Sequence, residues 1–146
     1  MYMQKLILFK VSENLFAIDH KLVKKKYKKK ELFSERADKV KRVKIKLDGR
    51  DIPLYDLPAL FDESVGKTSK VHSEALLVKD EEGHMILLVN HIERGIEIDK
   101  DLIQDLSPIF GNRSRMYFPK VFIKANRPVL ILNPSGIRTD KTKSHE

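Results

Sequence analysis

The chain of 146 residues is long enough for one ordinary domain or two small ones sharing a core, and its 41% apolar content argues against wholesale disorder. It contains no cysteine, which excludes a disulfide framework, a thiolate metal site and cysteine nucleophilic catalysis together. Its 29 basic and 21 acidic residues leave a net charge of +8, so an acidic or polyanionic partner has to be considered.

The periodicity predicts strands. Lys5 to Val11 is apolar and β-prone, Ser12-Glu13-Asn14 is turn chemistry, and Leu15-Phe16-Ala17-Ile18 completes a hairpin. The apolar stretch Leu6-Ile7-Leu8-Phe9 is too short for a signal-peptide core of about 7 to 15 residues. No run approaches the roughly 18 residues of a membrane span, so a soluble, cytoplasmic chain is expected. Glu31 to Asp38 is mixed, with room for a short helical turn. Strict alternation follows: Val43, Ile45 and Leu47 face one way, and Arg42, Lys44, Lys46 and Asp48 the other.

Asp48-Gly49 is a hairpin turn signal, and the proline of Ile52-Pro53-Leu54 predicts an edge or strand-end position. Asp56 can N-cap a brief helix through Phe61, with Pro58 in its first turn. Asp62 to Ser73 is loop-like. Ala75 to Lys79 and Met85 to Val89 are strands joined by Asp80-Glu81-Glu82-Gly83, and Glu93 to Ile98 is another, with Gly95 at a bulge or close approach. Residues 99 to 118 hold a possible helical turn, then a mobile loop at Gly111-Asn112-Arg113-Ser114-Arg115. Val121-Phe122-Ile123 and Val129-Leu130-Ile131-Leu132 form a last hairpin around Ala125-Asn126-Arg127-Pro128. The predicted domain runs from 4 to 133, and residues 134 to 146 are a polar tail. About nine short strands separated by turns spell an all-β barrel or sandwich.

The charge sits in one place. Residues 21 to 50 hold 14 Lys or Arg against 4 Asp or Glu, and the rest of the chain is slightly acidic. Within them, seven of the ten residues from Lys21 to Lys30 are lysine. Their mutual repulsion predicts a solvated connection, and an acidic protein surface or phosphates are the functional readings. A basic patch for nucleic acid would comprise Lys24, Lys25, Lys26, Lys28, Lys29, Lys30, Arg42, Lys44 and Lys46. Only Tyr27 is interleaved, whereas single-strand binders usually offer several stacking rings.

Catalytic chemistry is sparse. Gly66-Lys67-Thr68 has the end of a phosphate-binding loop, but Phe61 stands where its first glycine belongs. The histidines His20, His72, His84, His91 and His145 show no helical metal-site spacing. There is no Gly-x-Ser-x-Gly elbow, and Asp51 and Asp56 read more plainly as a turn residue and a helix cap. Asn112-Arg113-Ser114 fits a glycosylation sequon, without meaning in a cytoplasmic chain. Neither a cofactor, a metal nor an enzymatic activity is predicted.

The order of segments resembles the CheW-like domain of bacterial chemotaxis, found in coupling proteins and as the regulatory domain of the CheA histidine kinase. The resemblance spans residues 4 to 133. It rests on Phe16-Ala17-Ile18-Asp19, on Val23 at the family's interface valine, and on Ile45-Lys46-Leu47-Asp48-Gly49 followed by Ile52-Pro53-Leu54-Tyr55-Asp56-Leu57. Leu87-Leu88-Val89-Asn90-His91-Ile92 and the closing strand Val129 to Leu132 complete it.

The resemblance implies two small intertwined five-stranded barrels and a scaffold without catalytic activity. Such a scaffold couples a chemoreceptor's cytoplasmic tip to the regulatory domain of a CheA-type kinase. By position, the implied contact residues are Val23, Lys25, Lys26, Leu47, Asp48 and Gly49. Departures cluster there. Asp48 replaces the family's arginine, Lys46 its asparagine, and Val43 a glycine. Lys25 and Lys26 replace glutamate and isoleucine, and Asn90 an aspartate. Core patterning sets the fold and surface groups set the partner, so the resemblance implies the fold and a divergent docking surface. The alternative function is a basic β-barrel that binds nucleic acid through residues 21 to 50.

Overall fold

Leu6-Ile7-Leu8-Phe9 and Met85-Ile86-Leu87-Leu88-Val89 offer no polar position, and none of these side chains is more than 5% exposed. A strand with one wet face alternates; these do not, so each runs through a sheet covered on both sides. The computed structural model describes residues 2–32, 44–61 and 74–139. Among them are eleven strands and four short helices: β1 Met3–Val11, β2 Asn14–Asp19, β3 Val23–Lys28, α1 Lys29–Leu32, β4 Lys44–Leu47, β5 Arg50–Asp56, α2 Leu57–Phe61, β6 Glu74–Asp80, β7 Gly83–Val89, β8 His91–Asp99, β9 Gln104–Asp105, α3 Gly111–Tyr117, β10 Lys120–Lys124, β11 Arg127–Leu132 and α4 Pro134–Thr139.

The strands form two mixed sheets. One is ordered β8-β1-β2-β11-β10-β9, the other β3-β6-β7-β5-β4. The second order repeats the first five strands of the other sheet with the halves of the chain exchanged. The hairpin β1–β2 corresponds to β6–β7, and the parallel neighbour β11 of β2 corresponds to the parallel neighbour β5 of β7. Each half also lends its third strand to the other sheet: β3 pairs with β6, and β8 with β1. Both exchanged pairings carry a register shift, between Val23 and Lys25 and between Ile7 and Phe9. The intertwined all-β fold is therefore as expected, with six and five strands among the described residues in place of five and five.

Three apolar clusters alternate with the two sheets. The central one joins Ile7, Phe9, Val11, Phe16 and Ile18 of the first sheet to Leu76, Val78, Met85, Leu87 and Val89 of the second. Phe16 is its hub, with ring centroids 5.9 Å from Phe9 and 5.2 Å from both Phe61 and Phe118. The outer face of the first sheet buries Leu6, Leu8, Phe122, Val129 and Ile131. The outer face of the second buries Ile45, Ile52, Leu54, Ile86 and Leu88, with Tyr27, Leu32 and Leu47 packed against them.

Several sequence expectations need correction. The lysine tract is not a loose connection: Val23–Lys28 is a strand, with Val23 opposite Val78 and Tyr27 opposite Ala75. Main-chain pairing is indifferent to side-chain charge, and the tract turns Lys24, Lys25, Lys26 and Lys28 to solvent while half-burying Val23 and Tyr27. Pro53 lies in mid-strand, where β5 passes from pairing with β4 (through Pro53 itself) to pairing with β7 (from Leu54 on).

Gly111 to Arg115, predicted as a mobile loop, belongs to the helix Gly111–Tyr117; Phe118 N–H donates to the Ser114 carbonyl at 2.7 Å, and Tyr117 and Phe118 enter the central cluster. The polar tail begins later than expected, because Pro134–Thr139 forms α4 with Ile137 fully buried. The readings for Asp62 to Ser73, for 33–43 and for the last residues of the tail lie outside the described residues.

Candidate docking surface

At the end of β2, Asp19 caps a 3-10 turn, His20–Leu22, by accepting from Lys21 N–H at 3.0 Å. The Val23 N–H closes that turn on the His20 carbonyl and starts β3. Val23 packs on the central cluster, and the register shift that follows leaves Lys24 as the extra residue of a bulge. Lys24 Nζ donates to the Lys21 carbonyl at 3.2 Å, and Lys25 Nζ lies 5.1 Å from the centroid of the Tyr27 ring. Lys26 is exposed.

The β4–β5 hairpin contributes the other three residues. Asp48 and Gly49 both have positive φ, 51° and 78°, as a two-residue turn between paired Leu47 and Arg50 demands. Nothing lies within 4 Å of a Cβ built at Gly49, so backbone conformation alone selects glycine there. Leu47 is half-buried on the outer cluster, while Asp48 is exposed. Lys46 meets Asp51 across the hairpin at 3.7 Å.

Through the registers β3–β6, β6–β7, β7–β5 and β5–β4, the start of β3 and the Asp48-Gly49 turn fall at the same end of the five-stranded sheet. They sit on its two outermost strands. The nucleic-acid patch is divided in the same way: Lys24, Lys25, Lys26 and Lys28 line β3, and Lys44 and Lys46 stand on β4, with β6, β7 and β5 between. Lys29 and Lys30 belong to α1, and Arg42 is outside the described residues. Tyr27 is half-buried and engaged by Lys25, which removes the one expected stacking ring from service.

Asp56 has the plain role expected of it, whereas Asp51, expected as a turn residue, lies inside β5. Asp51 pairs with Lys46, and Asp56 Oδ1 accepts from Ala59 N–H at 3.2 Å as the cap of α2. Asn90 fastens two hairpins together: its side chain accepts from Ser12 N–H, and its own N–H donates to the Lys10 carbonyl. His91 and Ile92 N–H both meet the Glu74 carboxylate.

Sequence reading missed a polar cluster at the β6–β7 turn. Asp80 accepts from Arg138 Nη2 at 2.9 Å, from Ser135 Oγ at 3.0 Å and from Glu82 N–H at 2.9 Å. Burial would raise the Asp80 pKa, but these three donors and the Arg138 charge outweigh it and hold the carboxyl below its ordinary value. Tyr55 nearby is pushed up, mainly by burial, with Asp80 adding to the rise and Arg138 opposing it. Asp80 and Arg138 are 58 positions apart, so no spacing rule could have paired them.

The CheW-like domain family matches residues 5–141. The chain belongs to this family. Among solved structures, the scaffolding protein TtCheW from Thermoanaerobacter tengcongensis is similar, with a TM-score of 0.68 and 18% identity over 90% of each chain. No curated protein sequence matches the chain. Membership makes this CheW-like domain a β-rich adaptor of the chemotaxis scaffold type. Among the described residues no helix is long and apolar enough to cross a membrane.

Proposed function

We propose that this CheW-like domain is a non-catalytic, cytoplasmic adaptor that couples a chemoreceptor to a CheA-type histidine kinase. The kinase's regulatory domain would dock on Val23, Lys25, Lys26, Leu47, Asp48 and Gly49. What supports this reading is one juxtaposition: the bulged start of β3 and the β4–β5 turn share one end of the five-stranded sheet, each anchored by a half-buried residue, Val23 and Leu47. Anchors flanked by exposed charge are what a specific docking face needs, since buried groups supply affinity and charges select the partner.

Asp48 reverses the charge of the family's arginine, so the partner of this chain carries a compensating change. The test is a titration against the regulatory domain of a CheA-like kinase from the same source, at about 0.15 M and about 0.5 M salt. Low-micromolar binding at both salts, weakened about tenfold or more by Val23→Glu, is the expected result. Absence of binding to every such kinase of the source would remove the coupling role.

A further inference from the structure

Four cationic or imidazole side chains meet at the same end of the five-stranded sheet, on four successive strands. Lys79 of β6 pairs directly with His84 of β7. Both share a face with Leu77 and Ile86 of the outer cluster, by strand alternation. Arg50 of β5 lies on that face too, four residues before Leu54, which pairs with Ile86. Lys24 is the bulge residue of β3, at the height of Val78.

The three cations are close enough to act on His84: after burial, the charges of Arg50, Lys79 and Lys24 are what hold its pKa below its ordinary value. His84 is therefore neutral at pH 7, and the row carries three positive charges. None of the ion pairs among the described residues involves Lys24, Arg50 or Lys79. Neighbouring acids are already engaged, Asp80 and Glu82 with Arg138 and Asp51 with Lys46.

We propose that the row Lys24, Lys79, His84 and Arg50 docks an acidic, extended segment of a partner protein. This rests on the adaptor reading above and names the chemistry of its partner. Three like charges gathered on one sheet end without an acid paired to any of them are unfavourable in the free protein, so the row is relieved by an incoming anion. Three inter-strand spacings across and about three residues of offset along the strands separate its ends by about 18 Å, which matches about five residues of an extended chain. A nucleic acid needs a longer cationic track and exposed stacking rings, whereas the row has three charges and Tyr27 is half-buried.

The test is an NMR titration of the full chain with a hexaglutamate peptide at about 0.05 M salt, with a single-stranded DNA oligonucleotide as the competitor class. Amide shifts should concentrate at residues 24, 50, 79 and 84. The combined variant Lys24→Glu, Arg50→Glu, Lys79→Glu should lose about tenfold or more of the affinity, while Lys120→Glu changes nothing.

Shifts located elsewhere, absence of binding, or tighter binding of DNA at the row would each overturn the proposal. The wild-type shift map decides even if the triple variant fails to fold. Titrating the kinase regulatory domain in parallel separates the two readings. Peptide binding without kinase binding removes the coupling role and keeps the row; kinase binding indifferent to the row variants does the reverse.

Discussion

Arg138 Nη2 lies 2.9 Å from Asp80 Oδ1, and that contact ties α4 to the β6–β7 turn. Both side chains are largely buried, 17% and 8% exposed. Removing one member of such a pair strands the other, which typically costs about 3–5 kcal/mol. Ser135 and the Glu82 N–H remain to Asp80, so Arg138→Ala should cost about 3 kcal/mol, at the lower end. Urea unfolding at neutral pH measures it; a loss below about 0.5 kcal/mol would mean the contact is not held in solution.

The same carboxyl predicts an acid dependence. Its pKa is lowered on folding, so between the folded and unfolded values the native state binds fewer protons than the unfolded chain. The stability it contributes is present above the unfolded value, about 3.9, and is lost as pH falls through the folded one. Below about pH 4 the wild type should therefore lose stability more steeply than Asp80→Asn. Parallel slopes in thermal unfolding from pH 5 to 2 would refute the assignment.

Gly136 presses α4 against α3. A Cβ built there would stand 2.0 Å from the Met116 carbonyl oxygen and 2.6 Å from its carbon. Alanine is better than glycine in a helix by about 1 kcal/mol, but the obstacle is backbone that cannot rotate aside. The clash should win, and Gly136→Ala should destabilise by about 2 kcal/mol or more, read as a lower urea midpoint. A stabilised variant would mean the two helices are further apart.

Strand β3 is outermost in its sheet, and its exposed lysines discourage edge-to-edge pairing. Replacing Lys25 and Lys26 together by valine keeps the β-propensity and removes the guard. Sedimentation velocity should then show mass rising with concentration beyond the wild-type behaviour. Unchanged sedimentation would mean that the edge is protected by something other than charge.

Asp48-Gly49 could be read directly as a hairpin because a two-residue turn with both φ positive tolerates few residue types. Ile45, Lys46 and Leu47 could be read because burial on one face imposes a period of two. Asp56 could be read because capping is local. The candidate contact residues were named from the order of such segments. Lys24 to Lys28 misled because their charge says nothing about main-chain pairing, and Val23 and Tyr27 were the only signs of a packed strand. The docking row was invisible: Arg50, Lys79 and His84 have no common spacing, and only the registers bring them to one end of one sheet face.

By itself the sequence determined the all-β class, most strand positions and the family, because turn chemistry and face periodicity act over a few residues. Beyond the hairpins, only the tertiary structure decided which strand pairs with which. The exchange of β3 and β8 between the sheets, the placement of Gly136 on Met116 and the contact of Asp80 with Arg138 all join distant parts of the chain. Backbone hydrogen bonds carry no side-chain signature, so partners are selected by the fit of whole apolar faces, which exists only once both sheets are formed.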